Sequence, residues 1–351
     1  MYKIGLDLGY GFTKGVADNG KTVCFPSIVA LDKTKRVSNE LDVFSIENSN
    51  IEENLLVNIS NGVISQNFKV GELAAIKENI TASLEENKTD TIENQVCIAA
   101  ASALLLPEEN NEVFLVSGLP IISFESQKEK FKSMLENYNF VVSLPNYGIQ
   151  KKVKFSRVEL IPQGLAAVYH SIWDNITKYS IPGTYIGLID WGHKTVDYAV
   201  FAIDKKGIPI YMPEYSGSID GGMFRISRDI NNIFEERQSD KLEYAQSQLL
   251  VETGKIFFRR KWIDLTKELI EIKEDRARVV KNELIKRWSN IMNSFNTVFI
   301  SGGGGQGMFE YTKNFTEDLT LELASDPQMG NALGYKKIAE IMEQAQEQPD
   351  K

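Results

Sequence analysis

The sequence predicts an α/β protein built of two similar lobes that carry inserted segments. At 351 residues the chain is too long for one ordinary core, so two lobes or domains are expected. An apolar strand that ends in Asp and runs through a glycine-containing turn into a second strand occurs twice, at residues 2–17 and 185–203. Strands then helices follow each other twice along the chain without a short-period repeat. This order indicates a duplicated α/β domain with insertions.

The first lobe is predicted over residues 1–170. It opens with short strands and contains a polar, Asn- and Glu-rich insertion over about 32–95. A buried helix stopped by Pro107 then precedes a buried strand and a more polar helix. The predicted elements are a hairpin turn at 18–20, a hairpin turn at 61–62, a helix at 95–106, a strand at 113–118 and a helix at 126–138.

The second lobe is predicted over residues 171–327, after a strand that runs through Pro162, Gln163 and Gly164 into an apolar helix. It contains a helical insertion over about 224–290 with a break at 253–254. A strand at 296–301 ends in four consecutive glycines, and a last helix at about 328–345 is expected to return to the first lobe.

Composition excludes several functional classes. The chain is 42% hydrophobic and 25% charged, as in ordinary globular proteins, and its net charge of −9 argues against general binding of nucleic acid. The basic clusters at 259–261 and 276–287 stand among acidic residues at helical spacing and favour solvated helix faces.

The cysteines and the apolar runs give no support for a zinc site, a disulfide or a membrane span. Cys24 and Cys97 have no metal-ligand spacing, and the longest apolar run, 96–106, is too short to cross a bilayer. The first strand begins within three residues of Met1 and no basic region precedes it, so we expect no signal peptide and a reducing cytoplasm.

The repeated strand–turn–strand unit has the chemistry of a phosphate site. Backbone N–H groups of a glycine turn converge on phosphate oxygens, and Asp7 or Asp190 beside the turn can hold Mg²⁺ through water. Two such units could clamp one nucleotide polyphosphate, whereas one unit alone is weak evidence.

Five segments in order resemble the motifs of the superfamily of actin, heat-shock chaperones and sugar kinases, in which two related lobes close over ATP. The resemblance covers most of the chain and implies an actin-like, ribonuclease H-like fold with a nucleotide cleft between duplicated domains. The segments are a first phosphate loop at 7–14, a first connecting helix at 158–169, a second phosphate loop at 190–197, an adenosine motif at 298–305 and a second connecting helix at 330–341.

Within that superfamily the chain is similar to the ParM/StbA-type plasmid-segregation actins and their archaeal relatives. The similarity lies in Asp-x-Gly-Tyr-Gly-x-x-Lys at 7–14, Pro-Gln-Gly-x-Ala-Ala at 162–167, and Asn331-Ala332 followed by Gly334. It implies ATP- or GTP-driven, Mg²⁺-dependent polymerisation with other copies of the chain. It also implies a DNA-binding adaptor protein at a plasmid centromere, with no direct membrane contact and no direct DNA binding.

The resemblance assigns roles to individual residues. Gln163 would orient the attacking water, Asp7 and Asp190 would hold Mg²⁺, and Lys14 would bind phosphate. Gln163 could instead only cap a helix, and Glu159 is a reserve candidate. The predicted nucleotide contacts are Gly9, Tyr10, Gly11, Thr13, Lys14, Gly192, His193, Lys194, Thr195, Gly217, Asp220, Gly221, Lys255, Gly302, Gly303 and Gly304.

The second phosphate loop departs from the family pattern. His193 stands where relatives carry glycine, which predicts a left-handed backbone or a different turn. A turn residue is favoured over a catalytic base for His193, and Lys194 could add a second cation near the phosphates. Lys255 is expected on a helix, directly after Gly254, where it could flank the base.

Two other functions stay open on the sequence. A small-metabolite kinase of the sugar-kinase type needs a carboxylate base, a role for which Glu159 is available. A nucleotide-dependent scaffold with little turnover would use the same binding residues. A chaperone of this superfamily would need a further substrate-binding domain, which the sequence does not predict.

Overall fold

A computed structural model describes residues 1–32, 51–53, 55–62, 65–75, 81–82, 91–108, 112–317 and 319–347. Its contacts divide the chain into two compact units. The first comprises Met1–Ala166 with Asn331–Lys351, and the second comprises Ala167–Gly330.

The first unit contains a mixed sheet in the order β11-β8-β1-β2-β3. Strand β1 lies at its centre, antiparallel to β2 and parallel to β8, which is in turn parallel to β11. Residues 4–8 of β1 are all buried, on both faces of the strand, as is typical of a central strand with parallel neighbours. The strands are β1 (Tyr2–Leu8), β2 (Phe12–Ala17), β3 (Thr22–Pro26), β8 (Val113–Ser117) and β11 (Arg157–Leu160).

A second, antiparallel sheet of this unit has the order β10-β9-β5-β6-β4-β7. Strands β5 and β6 flank the turn predicted at 61–62, which confirms that hairpin. Residues 33–50, 76–80 and 83–90 of the predicted insertion lie outside the described residues. The strands are β4 (Ile28–Leu31), β5 (Leu55–Ser60), β6 (Ser65–Val70), β7 (Thr81–Ala82), β9 (Asn139–Leu144) and β10 (Ile149–Lys154).

Helices complete the first unit. The buried helix predicted at 95–106 spans Ile92–Leu105 and begins at Thr91, whose Oγ1 accepts a hydrogen bond from the N–H of Asn94. The helix predicted at 126–138 spans Ile121–Glu136 and so begins directly after Pro120. The helices are α1 (Glu72–Ala75), α2 (Ile92–Leu105), α3 (Ile121–Glu136) and the last helix, which packs Tyr335 against Phe114 and Val116 of β8.

The second unit contains a sheet in the order β14-β13-β12-β18-β19, with β15 also paired to β13. Strands β16 and β17 form a separate hairpin. The strands are β12 (Tyr185–Trp191), β13 (Thr195–Ile203), β14 (Pro209–Tyr211), β15 (Gly217–Asp220), β16 (Lys255–Phe258), β17 (Lys261–Asp264), β18 (Phe295–Ser301) and β19 (Leu321–Leu323).

The helices of this unit pack on its sheet and on one another around buried apolar side chains such as Ile226, Phe234 and Trp288. Five of them lie wholly between Ala167 and Gly330 in the described residues, after helix α4, which crosses the boundary between the units. The boundary helix is α4 (Leu165–Ile172). The five are α5 (Ile176–Tyr179), α6 (Met223–Gln238), α7 (Tyr244–Thr253), α8 (Thr266–Trp288) and α9 (Gly305–Thr312), and the last helix of the chain is α10 (Gly330–Glu347).

The two units repeat one strand arrangement. In each, a central strand pairs antiparallel with the strand that follows it and parallel with a strand from later in the unit. That later strand pairs parallel with one more strand. Strands β1, β2, β8 and β11 thus correspond to β12, β13, β18 and β19. The duplicated α/β arrangement predicted from the sequence is confirmed.

The segment 224–290 is not only helical. The predicted break at 253–254 is the end of α7, where Gly254 has φ of 72° and closes the helix in the left-handed conformation. The hairpin β16–β17 follows, and the basic cluster at 259–261 forms its turn instead of a helix face. That part of the sequence prediction was wrong. Among the described residues, no helix combines the length and apolar character needed to cross a bilayer.

Candidate functional site

Asp7 lies at the end of β1 and is held by a cation on the next strand. Lys14 is its cross-strand partner in the β1–β2 register, and Lys14 Nζ lies 3.2 Å from Asp7 Oδ2. Asp7 is 2% exposed and Lys14 9% exposed, so both charges are largely withdrawn from water. A buried carboxylate needs such a partner, since its desolvation costs several kcal/mol.

Gln163 reaches the same carboxylate from the turn before α4. Its Nε2 donates a hydrogen bond to Asp7 Oδ1 at 2.8 Å, and its backbone N–H donates to the carbonyl of Leu119. The next residue, Gly164, has φ of 84° and donates its N–H to Asn331 Oδ1 at 2.9 Å. The structure therefore brings three sequence-predicted residues, Asp7, Lys14 and Gln163, into direct contact within the first unit.

Ser27 organises the first hairpin tip, and sequence reasoning missed it. Its Oγ donates to the carbonyl of Gly9 at 2.8 Å and lies 2.9 Å from Thr13 Oγ1, while its N–H donates to the carbonyl of Gly11. Thr13 is completely buried. Its hydroxyl therefore fixes the tip from inside, and a contact of Thr13 with a nucleotide stays a prediction. A serine directly after Pro26 gave no signal of this role.

The second hairpin tip repeats the geometry of the first. Gly9 and Gly192 each follow the strand-ending Asp by two residues. A Cβ on Gly9 would lie 2.6 Å from the carbonyl oxygen of Phe12, and a Cβ on Gly192 would lie 2.8 Å from that of Thr195. Both contacts are shorter than real Cβ atoms tolerate, so both tips require glycine. His193 is not among the residues with positive φ, so of the two alternatives predicted for it the left-handed backbone is not adopted.

Asp190 faces a different partner from Asp7. Its cross-strand neighbour in the β12–β13 register is Asp197, at the position equivalent to Lys14. Asp197 Oδ1 accepts a hydrogen bond from Ser218 Oγ of β15 at 2.5 Å. Two carboxylates directly opposite each other repel, and a bound cation relieves that repulsion. The second hairpin tip therefore has an acidic pair where the first has an ion pair.

Helix α6 begins on the second tip and uses its carbonyl groups. Met223 and Phe224 donate their N–H groups to the carbonyls of Gly192 and His193, at 2.9 and 2.8 Å. The N–H groups that open this helix are thereby satisfied within the protein. Gly222, which was absent from the predicted contacts, would place a Cβ 2.3 Å from the carbonyl of Gly192. The Gly-Gly doublet was the sequence signal for this close approach.

The glycine-rich turn before α6 holds this arrangement in place. Gly221 donates its N–H to the carbonyl of Lys194 at 3.1 Å, and the carbonyl of Asp220 accepts from Arg276 Nη2 at 2.8 Å. Gly217 lies against the Tyr198 ring, where a Cβ would be 2.5 Å from the Tyr198 oxygen. These contacts account for Gly217, Asp220 and Gly221 as supports of the tip. Their roles as nucleotide ligands remain predictions.

The His193 ring is partly buried beside an aromatic side chain. Its centroid lies 5.7 Å from that of Phe224, the second residue of α6. Burial lowers the pKa of His193 below its ordinary value of 6.5, since desolvation disfavours the imidazolium form. The ring is therefore neutral near pH 7, in agreement with a positional role.

The turn after β18 lies directly beside Asp190. Gly302 has φ of 91°, and a Cβ on it would lie 2.2 Å from Asp190 Oδ1. The N–H of Gly304 donates to the carbonyl of Trp191 at 2.9 Å, which ties this turn to the second hairpin. By contrast, no atom lies within 4 Å of the position that a Cβ on Gly303 would take. The backbone at Gly303 is thus open to a flat ligand.

A cavity of about 210 Å³ adjoins this turn within the second unit. It is smaller than a drug-sized pocket and of a size to take part of a ligand. Its lining mixes open backbone with polar side chains from α9 and from the segment before α10: Gly302, Gly303, Gln306, Asp326, Pro327, Gln328 and Met329.

Comparison with known proteins agrees with both halves of this arrangement. Residues 5–165 match the model of the N-terminal domain of actin-like proteins. Residues 188–313 match the C-terminal model of the MreB-like archaeal actin homologue.

Similar proteins cover almost the whole chain. A 15-stranded ParM filament from Clostridium botulinum is 34% identical, with 97% of this chain and 99% of that chain covered and a TM-score of 0.87. The chain belongs to the actin-like protein family and is of the ParM type. An archaeal actin homologue of Thermoplasma volcanium is 26% identical over 97% of this chain and 99% of its own. An archaeal actin homologue solved in complex with ADP shares the fold, with 22% identity, coverage of 97% and 100%, and a TM-score of 0.78.

In this ParM-type chain, two further candidates from the sequence are engaged in ion pairs with residues outside the hairpin tips. Lys255 begins strand β16 and is not helical as predicted, because Gly254 ends α7. Its Nζ lies 3.1 Å from Asp264 Oδ2 on the paired strand. Glu159 on β11 lies within 3.5 Å of Arg157 and within 3.4 Å of Lys132. The Glu159 carboxylate is therefore engaged in ion pairs with two cations in this structure.

The oxygen donors of this ParM-type chain suit a magnesium ion that keeps most of its water. Among the described residues, no three His, Cys, Asp or Glu side chains converge as they do around a tightly held metal. Mg²⁺ commonly binds through one or two carboxylates, several waters and the phosphates of its substrate. Asp190 beside Asp197, and Asp7 in the first unit, supply donors of that kind.

Proposed function

We propose that this chain binds a nucleoside triphosphate with Mg²⁺, polymerises head to tail into filaments and hydrolyses the nucleotide. The observation that carries the proposal is the repeated Asp-x-Gly hairpin, with Gln163 and Lys14 on the carboxylate of Asp7 in the first copy. Segregation of plasmid DNA through a DNA-binding adaptor protein is the cellular role that the ParM resemblance supports.

The hairpin tips are the proposed phosphate sites. Glycine at positions 9 and 192 permits the tight turn of each tip, and Lys14 supplies a cation at the first tip. Bound Mg²⁺ would neutralise phosphate charge, and each unit has a carboxylate that could hold such an ion through water, Asp7 in the first and Asp190 in the second. In the second unit, Asp197 lies opposite Asp190 in the β12–β13 register and offers further carboxylate oxygens.

Gln163 is the proposed water-positioning residue. Hydrolysis of a γ-phosphoryl group depends mainly on orientation and charge stabilisation, so an amide suffices and strong basicity is unnecessary. The hydrogen bond from Gln163 to Asp7 fixes the amide next to the carboxylate at the first tip. In this proposal, Asp7 positions Gln163 through that hydrogen bond, and Lys14 pairs with the other oxygen of the Asp7 carboxylate.

The turn at Gly302 and Gly303 is the proposed site for the nucleoside. Gly303 exposes its backbone, and the adjoining cavity of about 210 Å³ offers polar groups. The similar archaeal homologue was solved with ADP, which supports an adenine nucleotide. Backbone contacts accept adenine or guanine alike, so ATP and GTP are both candidate substrates.

Self-association is proposed from the kinship with a ParM filament at 34% identity. Contacts between different surfaces of identical subunits that do not close into a ring produce a helical filament. In this proposal, polymerisation requires only copies of this chain and nucleotide, whereas attachment of the filament to DNA requires the adaptor protein.

Time-resolved light scattering combined with phosphate release tests the function. Adding ATP or GTP with Mg²⁺ should raise scattering within the same time range in which phosphate appears, and chelating Mg²⁺ should suppress both. A protein that stays monomeric and phosphorylates a small metabolite would support the kinase alternative. Scattering without phosphate release would instead indicate a scaffold with little turnover.

A further inference from the structure

The hairpin β16–β17 presents an aromatic pair to solvent. Its strands alternate, so that Ile256 and Ile263 are buried against the second unit while Phe257 and Trp262 point to the other side. Phe257 is 54% exposed and Trp262 is 69% exposed, the largest exposure of any aromatic side chain in the described residues. The two rings stack edge to face with centroids 5.6 Å apart. Two large aromatic rings left in water are costly unless something covers them.

The turn of this hairpin is built against local preference. Arg259 and Arg260 have φ of 46° and 67°, as the central residues of the tight turn that joins the strands. Asn and Gly normally occupy such positions, and two side chains with a Cβ add strain. Strain of this kind persists where the side chains at the turn serve another purpose.

The hairpin is basic in an acidic protein. Residues 255–264 carry four basic side chains and one acidic side chain, a net charge of +3, whereas the whole chain carries −9. The remainder of the chain, outside residues 255–264, therefore has a net charge of −12. Arg259 pairs with Asp240 and Lys255 pairs with Asp264, but Arg260 and Lys261 make no ion pair in the part of the chain that is described. Two cations thus remain available beside the aromatic pair.

We propose that this hairpin docks onto an acidic surface of a second copy of the chain and forms a contact of the filament. The inference rests on the proposed polymerisation and names one of its contact surfaces. Aromatic and arginine side chains are the residue types that dominate protein interfaces when they become buried. The hairpin is positively charged and the remainder of the chain is negatively charged. Electrostatic attraction therefore favours contact between the hairpin and an acidic surface of another copy. At a growing filament, other copies of this chain are more concentrated than any other protein, so a second copy is the partner that the hairpin meets most often.

The same side chains could also stack on single-stranded nucleic acid. The net charge of −12 on the rest of the chain opposes that partner, because most of the protein would repel phosphates. Nucleic acid is therefore an outcome that the experiment has to exclude.

The test compares the full chain with Trp262→Ala, with the double variant R260E/K261E, and with two matched controls. Ile122→Ala removes an exposed apolar side chain of the first unit, and Arg278→Ala removes an exposed arginine of α8. We expect Trp262→Ala and R260E/K261E to raise the critical concentration for polymerisation about tenfold or more. Nucleotide affinity, measured with a fluorescent nucleotide below that concentration, should stay within twofold of wild type.

A photo-crosslinking side chain placed at position 257 identifies the contact directly. In polymerising solution it should yield covalent dimers whose cross-linked peptide comes from an acidic segment of the other copy. Unchanged critical concentration in both hairpin variants, or dimers absent while wild type polymerises, would overturn the proposal and leave polymerisation intact. Binding of a labelled DNA or RNA strand that is lost in R260E/K261E, with normal polymerisation, would also overturn it. Failure of wild type itself to polymerise would refute the proposed function instead.

Discussion

Gln163 and Asp7, which are 156 residues apart in sequence, are joined by a hydrogen bond of 2.8 Å from Nε2 to Oδ1. The other carboxylate oxygen, Oδ2, lies 3.2 Å from Lys14 Nζ. Asp7 therefore has one partner on each oxygen, an amide that can orient water and a cation that can contact phosphate. The arrangement joins the predicted catalytic amide to the predicted phosphate loop.

Replacing Gln163 with Ala should separate hydrolysis from binding. We expect phosphate release to slow on the order of a hundredfold, because water loses its orienting group. Nucleotide affinity should change little, since Lys14 and the backbone of the tip remain. Single-turnover phosphate release measures the effect, with Gln150→Ala, which removes an exposed side chain of β10, as the control. Hydrolysis at the wild-type rate would remove Gln163 from the mechanism.

Lys14 should matter for stability as well as for phosphate. Lys14→Met leaves the Asp7 carboxylate, 2% exposed, without its cation, and should lower the free energy of unfolding by about 3 kcal/mol. The double variant Asp7→Asn/Lys14→Met should lose less than the two single losses combined, because no buried charge remains. Chemical denaturation of the four proteins gives the coupling energy. Additive losses would mean that the two charges do not stabilise each other.

Gly302 and Gly303 provide a matched pair of substitutions. Gly302→Ala must fit a side chain at φ of 91° and 2.2 Å from Asp190 Oδ1, and should destabilise the protein by about 3 kcal/mol. Gly303→Ala meets no atom within 4 Å and should keep wild-type stability while weakening nucleotide binding. Thermal unfolding and nucleotide titration measure the two effects. Equal stability losses would contradict the different surroundings of these glycines.

His193 should titrate at lower pH than an exposed histidine. Burial lowers its folded-state pKa below the ordinary 6.5, so the folded state prefers the neutral ring. The resulting stability is present above about pH 6.5 and is lost as the pH falls through and below that value. The chain has two histidines, which makes an NMR titration of each ring simple to assign with a His193→Gln variant. A His193 pKa at or above 6.5 would show that the ring is solvated.

The duplicated strand arrangement could be predicted from the sequence alone. A β-strand that ends in Asp before glycine is recognisable because burial, turn and carboxylate are all local properties. For the same reason Asp7, Lys14 and Gln163 could be selected, although their mutual contact depends on the tertiary fold.

Other features could not be predicted from local patterns. Ser27 acts through contacts with Gly9, Gly11 and Thr13, which only the pairing of β2 with β3 brings within reach. The turn at Arg259 and Arg260 contains no Asn-Gly pair, so local sequence does not indicate a hairpin there. The charges around it are spaced as on a helix and therefore predict a helix face. His193 has no positive φ, whereas the close approach in this turn occurs one residue earlier, between Gly192 and the carbonyl of Thr195.

Nucleotide-dependent polymerisation can be measured by sedimentation over a range of protein concentrations. In the presence of Mg²⁺ and ATP or GTP, we expect no pellet below a critical concentration and a pellet that grows linearly above it. Without nucleotide the protein should stay in the supernatant at the same concentrations. If saturating nucleotide binding is measured and no pellet forms at any concentration, the protein does not polymerise as proposed.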